Sequence, residues 1–232
     1  MRETKIEKIL KWEFESRKRR GSPKGELQRE RFVHHLVALG DVKAESRILS
    51  IGCGTGYYEL IVERYTNHLY CLDISRETLQ ICKGRKFENL IQASSFYLPF
   101  KSDVFDCVYA LSLSPIGSGQ ANMYSRGRTI KEMKRVTKKD GKIIVGHPTT
   151  LWKQINGLLK YGNPDSDTFR VSSAREIRES YKQNGIAIQC SMVLPPIPYV
   201  ILRRVNYLKI DKVLSRLLLG EIGPYLFVCG IK

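Results

Sequence analysis

The sequence predicts an α/β fold, an open and mostly parallel sheet with helices on both faces. Two observations carry the prediction. Residues 47–51 form an apolar run that turns through Gly52, Gly54 and Gly56 and then takes up the Leu60, Ile61, Val62 and Tyr65 spacing of a helix. Beyond it, short apolar runs alternate with segments of helical periodicity, the order in which crossover helices return the chain to a parallel sheet. The 232 residues are enough to bury a substantial core as one such domain.

Residues 1–25 make a charged, amphipathic opening, with Ile6, Ile9, Leu10 and Trp12 among lysines, then a basic knot at Arg17, Lys18, Arg19 and Arg20. This arm suits a helical cover, a basic patch or a partly ordered tail. From residue 26 onward a single domain is expected. Leu27, Phe32, Val33, Leu36, Val37 and Leu39 fit one face of a helix that ends at Gly40. Adjacent His34 and His35 point about 100° apart on such a helix, so they make a poor metal pair and read as packing or surface residues.

At the glycine bend, positive φ is open only to residues without a Cβ, and the missing side chains let a bound group reach the backbone. The unpaired N–H groups of the following helix favour a ligand's negative end. A dinucleotide corner would place a third glycine at position 57, where Tyr57 stands. Residues 68–72 form the next strand and end at Asp73, about 20 residues beyond the first glycine, the spacing at which a carboxylate reaches ribose hydroxyls. A helix over 75–83 with Ser75 as N-cap, a strand over 90–93 and a loop over 94–100 follow. Residues 103–110 form the fourth strand, and 122–137 a helix crowded with Arg126, Arg128, Lys131, Lys134 and Arg135, its charge extended by Lys138 and Lys139. Asp140-Gly141 turns the chain into a fifth strand over 142–147. A Gly- and Asn-rich loop over 152–167, a helix capped by Ser172 or Ser173, and strands over 186–190 and 224–229 complete the order, with an amphipathic, lid-like insertion at about 194–219.

Gly52-x-Gly54-x-Gly56 at a strand end, Asp73 after the next strand, and Leu98-Pro99-Phe100 before the fourth strand together resemble the class I S-adenosylmethionine-dependent methyltransferases. The resemblance covers residues 26–147 and, by pattern, the terminal strands. It implies a Rossmann-like sheet of about seven strands with an antiparallel last strand, S-adenosylmethionine as cofactor, and methyl transfer by direct in-line displacement. It assigns cofactor contacts to Gly52, Cys53, Gly54, Gly56, Asp73, Ile74, Ser94, Ser95, Phe96 and Leu111. Ser94 stands where the family commonly offers an acid to the adenine amino group, so Ser95 and Phe96 are left to supply a hydrogen bond and a ring face. Leu111-Ser112-Leu113-Ser114-Pro115 lacks the Pro-Pro-aromatic signature of amino-group methylation of adenine or glutamine. Cys107 lies inside a strand rather than in a loop, which argues against covalent cytosine chemistry. His147, at the carboxyl end of the fifth strand, is the candidate general base or else a strand-end histidine that packs.

The formal net charge of +16 attracts polyanions, nucleic acid or an anionic membrane surface alike. No apolar run reaches the length of a membrane span and no signal peptide is evident. The six cysteines form no Cys-x-x-Cys pair and read as reduced core residues of a cytoplasmic protein, with no metal site expected. The expected acceptor is a small or lipid-linked molecule, in keeping with an insertion that suits anionic lipid. Two alternatives stand beside it: methylation of RNA through the basic surface, and a non-catalytic module that binds S-adenosylmethionine or nucleic acid.

Overall fold

The computed structural model describes residues 23–111, 113, 123–148, 173–194, 206–207, 209–211, 213 and 225–232. The expected arm up to residue 22, the 152–167 loop and most of the 194–219 insertion lie outside the described residues. The element order is α1 (Pro23–Gly40), β1 (Arg47–Ile51), α2 (Glu59–Val62), β2 (His68–Asp73), α3 (Arg76–Gly84), β3 (Asn89–Gln92), β4 (Phe105–Leu111), α4 (Met123–Val136), β5 (Thr137–Pro148), α5 (Ala174–Gln183), β6 (Ala187–Leu194) and β7 (Tyr225–Ile231). They build one seven-stranded sheet in the order β3-β2-β1-β4-β5-β7-β6. β1 to β5 pair in parallel, and β7 runs antiparallel to both β5 and β6.

Alternation along the strands explains the two cores. Leu49 and Ile51 of β1, with Val108 and Ala110 of β4 and Ile143 and Val145 of β5, pack under Ile130 and Met133 of α4 and Ile177 and Tyr181 of α5. Ile48, Cys71, Cys107, Tyr109 and Ile144 face the other way, under Phe32, Val33 and Leu36 of α1, Val62 of α2 and Leu79 and Cys82 of α3. A sheet covered on both faces explains why its strands read as apolar runs. No helix among the described residues is long and apolar enough to cross a membrane.

Two local readings change. The Asp140-Gly141 turn expected ahead of a strand at 142 lies inside β5, which starts at Thr137; Phe105 pairs with Thr137 and Cys107 with Lys142, so the residues between form a bulge in which Asp140 takes a φ of 62°. The Lys138 ammonium is held there by Asp106 at 2.7 Å. The helix after the glycine bend is only four residues long, because Arg64 and Tyr65 bond back to Ile61 and Val62 at i−3 and close the turn. At α5 the expected cap is a full capping box: Ser173 Oγ accepts from the Glu176 N–H, and the Glu176 carboxylate accepts from the Ser173 N–H at 2.8 Å.

The strand order reverses between β1 and β4, and the carboxyl ends of β1, β2, β3 and β4 converge on that point, where ligands of open α/β sheets bind.

Candidate functional site

The bend after β1 carries three left-handed glycines, with φ of 73°, 55° and 74° at Gly52, Gly54 and Gly56. An L side chain there costs about 1–2 kcal/mol in backbone strain alone. The three differ in what lies beside them. A Cβ on Gly52 would stand 2.4 Å from Leu113 Cδ1, and one on Gly56 would stand 2.5 Å from the Phe87 ring. Gly54 has nothing within 4 Å of that position. The expectation that all three glycines admit a ligand therefore narrows to Gly54, and the other two make room for protein side chains.

The open glycine and the predicted ribose residue meet. Gly54 N–H donates to Asp73 Oδ2 at 2.8 Å, and Ser75 N–H donates to Oδ1 at 2.9 Å. Both carboxylate oxygens are thereby fixed in direction while each keeps a lone pair for a further donor, as two neighbouring hydroxyls require. Gly52 and Cys53 N–H both donate to Leu72 O, which ties the bend to the strand that carries Asp73. From behind, Arg85 Nη1 donates to Thr55 O at 2.6 Å and Cys82 Sγ to Gly54 O at 3.2 Å.

Ala93 N–H bonds Asp73 O, which brings the loop after β3 alongside. Ser94 Oγ accepts from Phe96 N–H at 3.2 Å and shapes that loop. Ser95 is buried with its hydroxyl 3.4 Å from that of Thr129, so it faces the core rather than the loop surface. Ile74 is 70% exposed and Phe96 half-exposed, two apolar faces for a planar ring at this rim. Leu111 ends β4 opposite Gly146. His147 pairs through its backbone position with Leu226 of β7, and its imidazole lies outside the described residues. With α2 reduced to one turn, no helix dipole of consequence adds to the bend.

Three features escaped sequence reasoning. The first is Glu59, buried under the bend, whose Oε1 accepts from Ser50 Oγ at 2.7 Å and Tyr109 OH at 3.1 Å. A serine interrupting the apolar run of β1 was the available signal. The second is a latch between α1 and the insertion. Arg31 binds Asp211 through Nε at 2.7 Å and again through Nη2, and His35 Nε2 binds Asp211 at 2.7 Å. Burial alone would raise the Asp211 pKa, but these His35 and Arg31 bonds hold it below the usual carboxylate range. Beside it the His34 ring stacks on Tyr207 and bonds its hydroxyl. On its other side α1 reaches the bend, where the Arg29 guanidinium lies 3.9 Å over Tyr57 and Phe32 packs on Tyr58. The third concerns α4, whose cations largely serve the fold. Arg126 pairs with Glu176, Lys134 donates to Asn184 O, and Arg135 binds Glu132 and the Leu98 carbonyl.

Among the described residues no group of His, Cys, Asp and Glu could hold a metal ion.

Residues 49–145 match a family model described as a methyltransferase domain. An uncharacterized methyltransferase of Bacillus subtilis, YcgJ, is 27% identical over 169 residues, covering 66% of this chain and 62% of that protein. The ubiquinone/menaquinone biosynthesis C-methyltransferase UbiE of Wigglesworthia glossinidia brevipalpis is 29% identical over 121 residues, 47% of this chain and 46% of that protein. The chain thus spans less than two thirds of the curated relatives it matches. Among solved structures, an S-adenosylmethionine-dependent methyltransferase of Thermotoga maritima, a possible histamine N-methyltransferase, covers 98% of this chain and 99% of its own at a TM-score of 0.62 and 17% identity, a likeness of fold.

Proposed function

We propose, from the premise that residues 49–145 belong to the class I S-adenosylmethionine-dependent methyltransferase family, that the chain transfers the methyl group of S-adenosylmethionine to a small-molecule or lipid-linked acceptor. The observation that carries the reading is the Asp73 carboxylate held against Gly54, the one glycine of the bend with open space beside it. These residues fit the cofactor. Asp73 accepts from the paired ribose hydroxyls, the Gly54 backbone lets the methionine part approach, and Ile74 and Phe96 flank the adenine ring. When bound, S-adenosylmethionine supplies a methyl group made electrophilic by its sulfonium sulfur. The chain's own work is to align an acceptor atom with the methyl–sulfur axis, and alignment of this kind lowers a barrier by about 7–11 kcal/mol. His147 takes a proton where the acceptor arrives with one.

The small or lipid-linked acceptor is supported by the UbiE relatives, named for C-methylation in quinone biosynthesis. The internal partners of Arg126, Lys134, Arg135 and Lys138 weigh against a polyanion track along α4. Calorimetry with S-adenosylmethionine tests the reading: the native chain binds and Asp73→Ala does not. Equal affinity in the two proteins overturns the ribose assignment. Labelled-methyl transfer into fractionated cell extract then identifies the acceptor class, with incorporation into RNA pointing to the alternative enzyme.

A further inference from the structure

Glu59 is a buried acid with an unmet need. Only 2% of the residue is exposed, and while Oε1 accepts from Ser50 and Tyr109, Oε2 has no hydrogen-bond partner. Its two donors sit side by side, since Ser50 of β1 and Tyr109 of β4 are register partners, and both lie just beneath the bend. The titratable groups around it are Cys53 of the bend, Cys71 of β2, Cys82 of α3 and Tyr109. Mutual contact among the thiols together with burial pushes Cys53 and Cys82 up, and burial pushes Tyr109 up, so this surround is neutral. Arg85 reaches this cluster at Cys82, and its guanidinium donates to the Thr55 carbonyl of the bend. Burial raises the Glu59 pKa against the bonds from Ser50 and Tyr109 and the backbone N–H groups of Glu59 and Tyr58, and so favours the protonated acid in the free protein. A buried carboxyl with one oxygen unsatisfied, beside neutral thiols and a phenol, calls for a cation or a proton.

S-adenosylmethionine carries both an ammonium and a sulfonium. Resting on the reading of the bend as its seat, we propose that Glu59 is the counter-charge for the cofactor's cationic end, ionising as the cofactor binds. The Oε2–H bond breaks with its electron pair left on oxygen, and the proton passes to the buffer. The carboxylate, kept in place by Ser50 and Tyr109, then acts across the bend as a positioning residue.

The test is calorimetry of S-adenosylmethionine binding in two buffers of different ionisation enthalpy at about pH 6, where the ligand's own amino group stays protonated. The native protein releases up to about one proton per ligand bound, and its affinity rises with pH. Glu59→Gln, similar in shape and able to keep an acceptor for Ser50 and Tyr109, binds about tenfold more weakly, without that release and with a flatter pH profile. A merely structural role would leave the buffer dependence unchanged. Equal heats in both buffers for the native protein overturn the proposal, and this reading needs no variant to fold. Absence of any binding overturns the cofactor assignment itself, and the proposal with it.

Discussion

Replacing Asp211 by Ala removes the shared partner of two buried side chains at once. Asp211 is fully buried, and Arg31 and His35, each about one-twentieth exposed, both direct nitrogens at it. Breaking a buried Arg–carboxylate pair from one side costs about 3–5 kcal/mol, because the guanidinium keeps its desolvation penalty without its counter-charge. Against a stability of about 5–15 kcal/mol for an ordinary domain, that is a fifth or more of the whole. Urea denaturation followed by circular dichroism measures the loss as a fall in midpoint at constant slope. Asp211→Asn keeps one acceptor oxygen and loses less. A cost under about 1 kcal/mol for the alanine variant would refute the reasoning, since that is the range of a solvent-exposed ion pair.

The same latch predicts a pH dependence. The folded-state pKa of Asp211 is depressed, so its contribution is present above the unfolded carboxylate value and is lost as pH falls through the folded one. Thermal melts in acid should therefore show the native advantage over Asp211→Asn shrinking. Gly54→Ala should cost about 1–2 kcal/mol of stability through its positive φ and weaken S-adenosylmethionine binding, as read by calorimetry. Gly56→Ala meets the Phe87 ring as well as the same strain, so its denaturation midpoint should fall further than that of Gly54→Ala. Ser173→Ala, which removes half of the capping box, should destabilise by about 1 kcal/mol in the same assay.

Much of this was legible in the chain because the determinants are local. The Gly52-x-Gly54-x-Gly56 spacing and the apolar run before it announce the bend, and Asp73 follows from the length of one helix and one strand. Ser173 and Asn184-Gly185 mark both ends of α5 for the same reason. What was not legible depends on residues far apart in sequence. Nothing near Arg31 announces Asp211, 180 positions away. Nothing near Gly52 says that Leu113 fills the space its side chain would need. Lys138 and Lys139 continue a helical charge pattern, yet the pairing of Phe105 with Thr137 pulls that stretch into the sheet, tertiary contact overriding local preference. Glu59 was hidden because an acid in the first turn of a helix ordinarily faces water.

The position of α1 has a mechanical consequence. One of its sides rests on Tyr57 and Tyr58, immediately after the bend, and another grips Asp211 and Tyr207 from the insertion. A rigid rod pressed on at two places carries a push from either to the other. A displacement of the insertion at Asp211 would therefore bear on Arg29 and Phe32, and through them on the two tyrosines that follow the glycine bend.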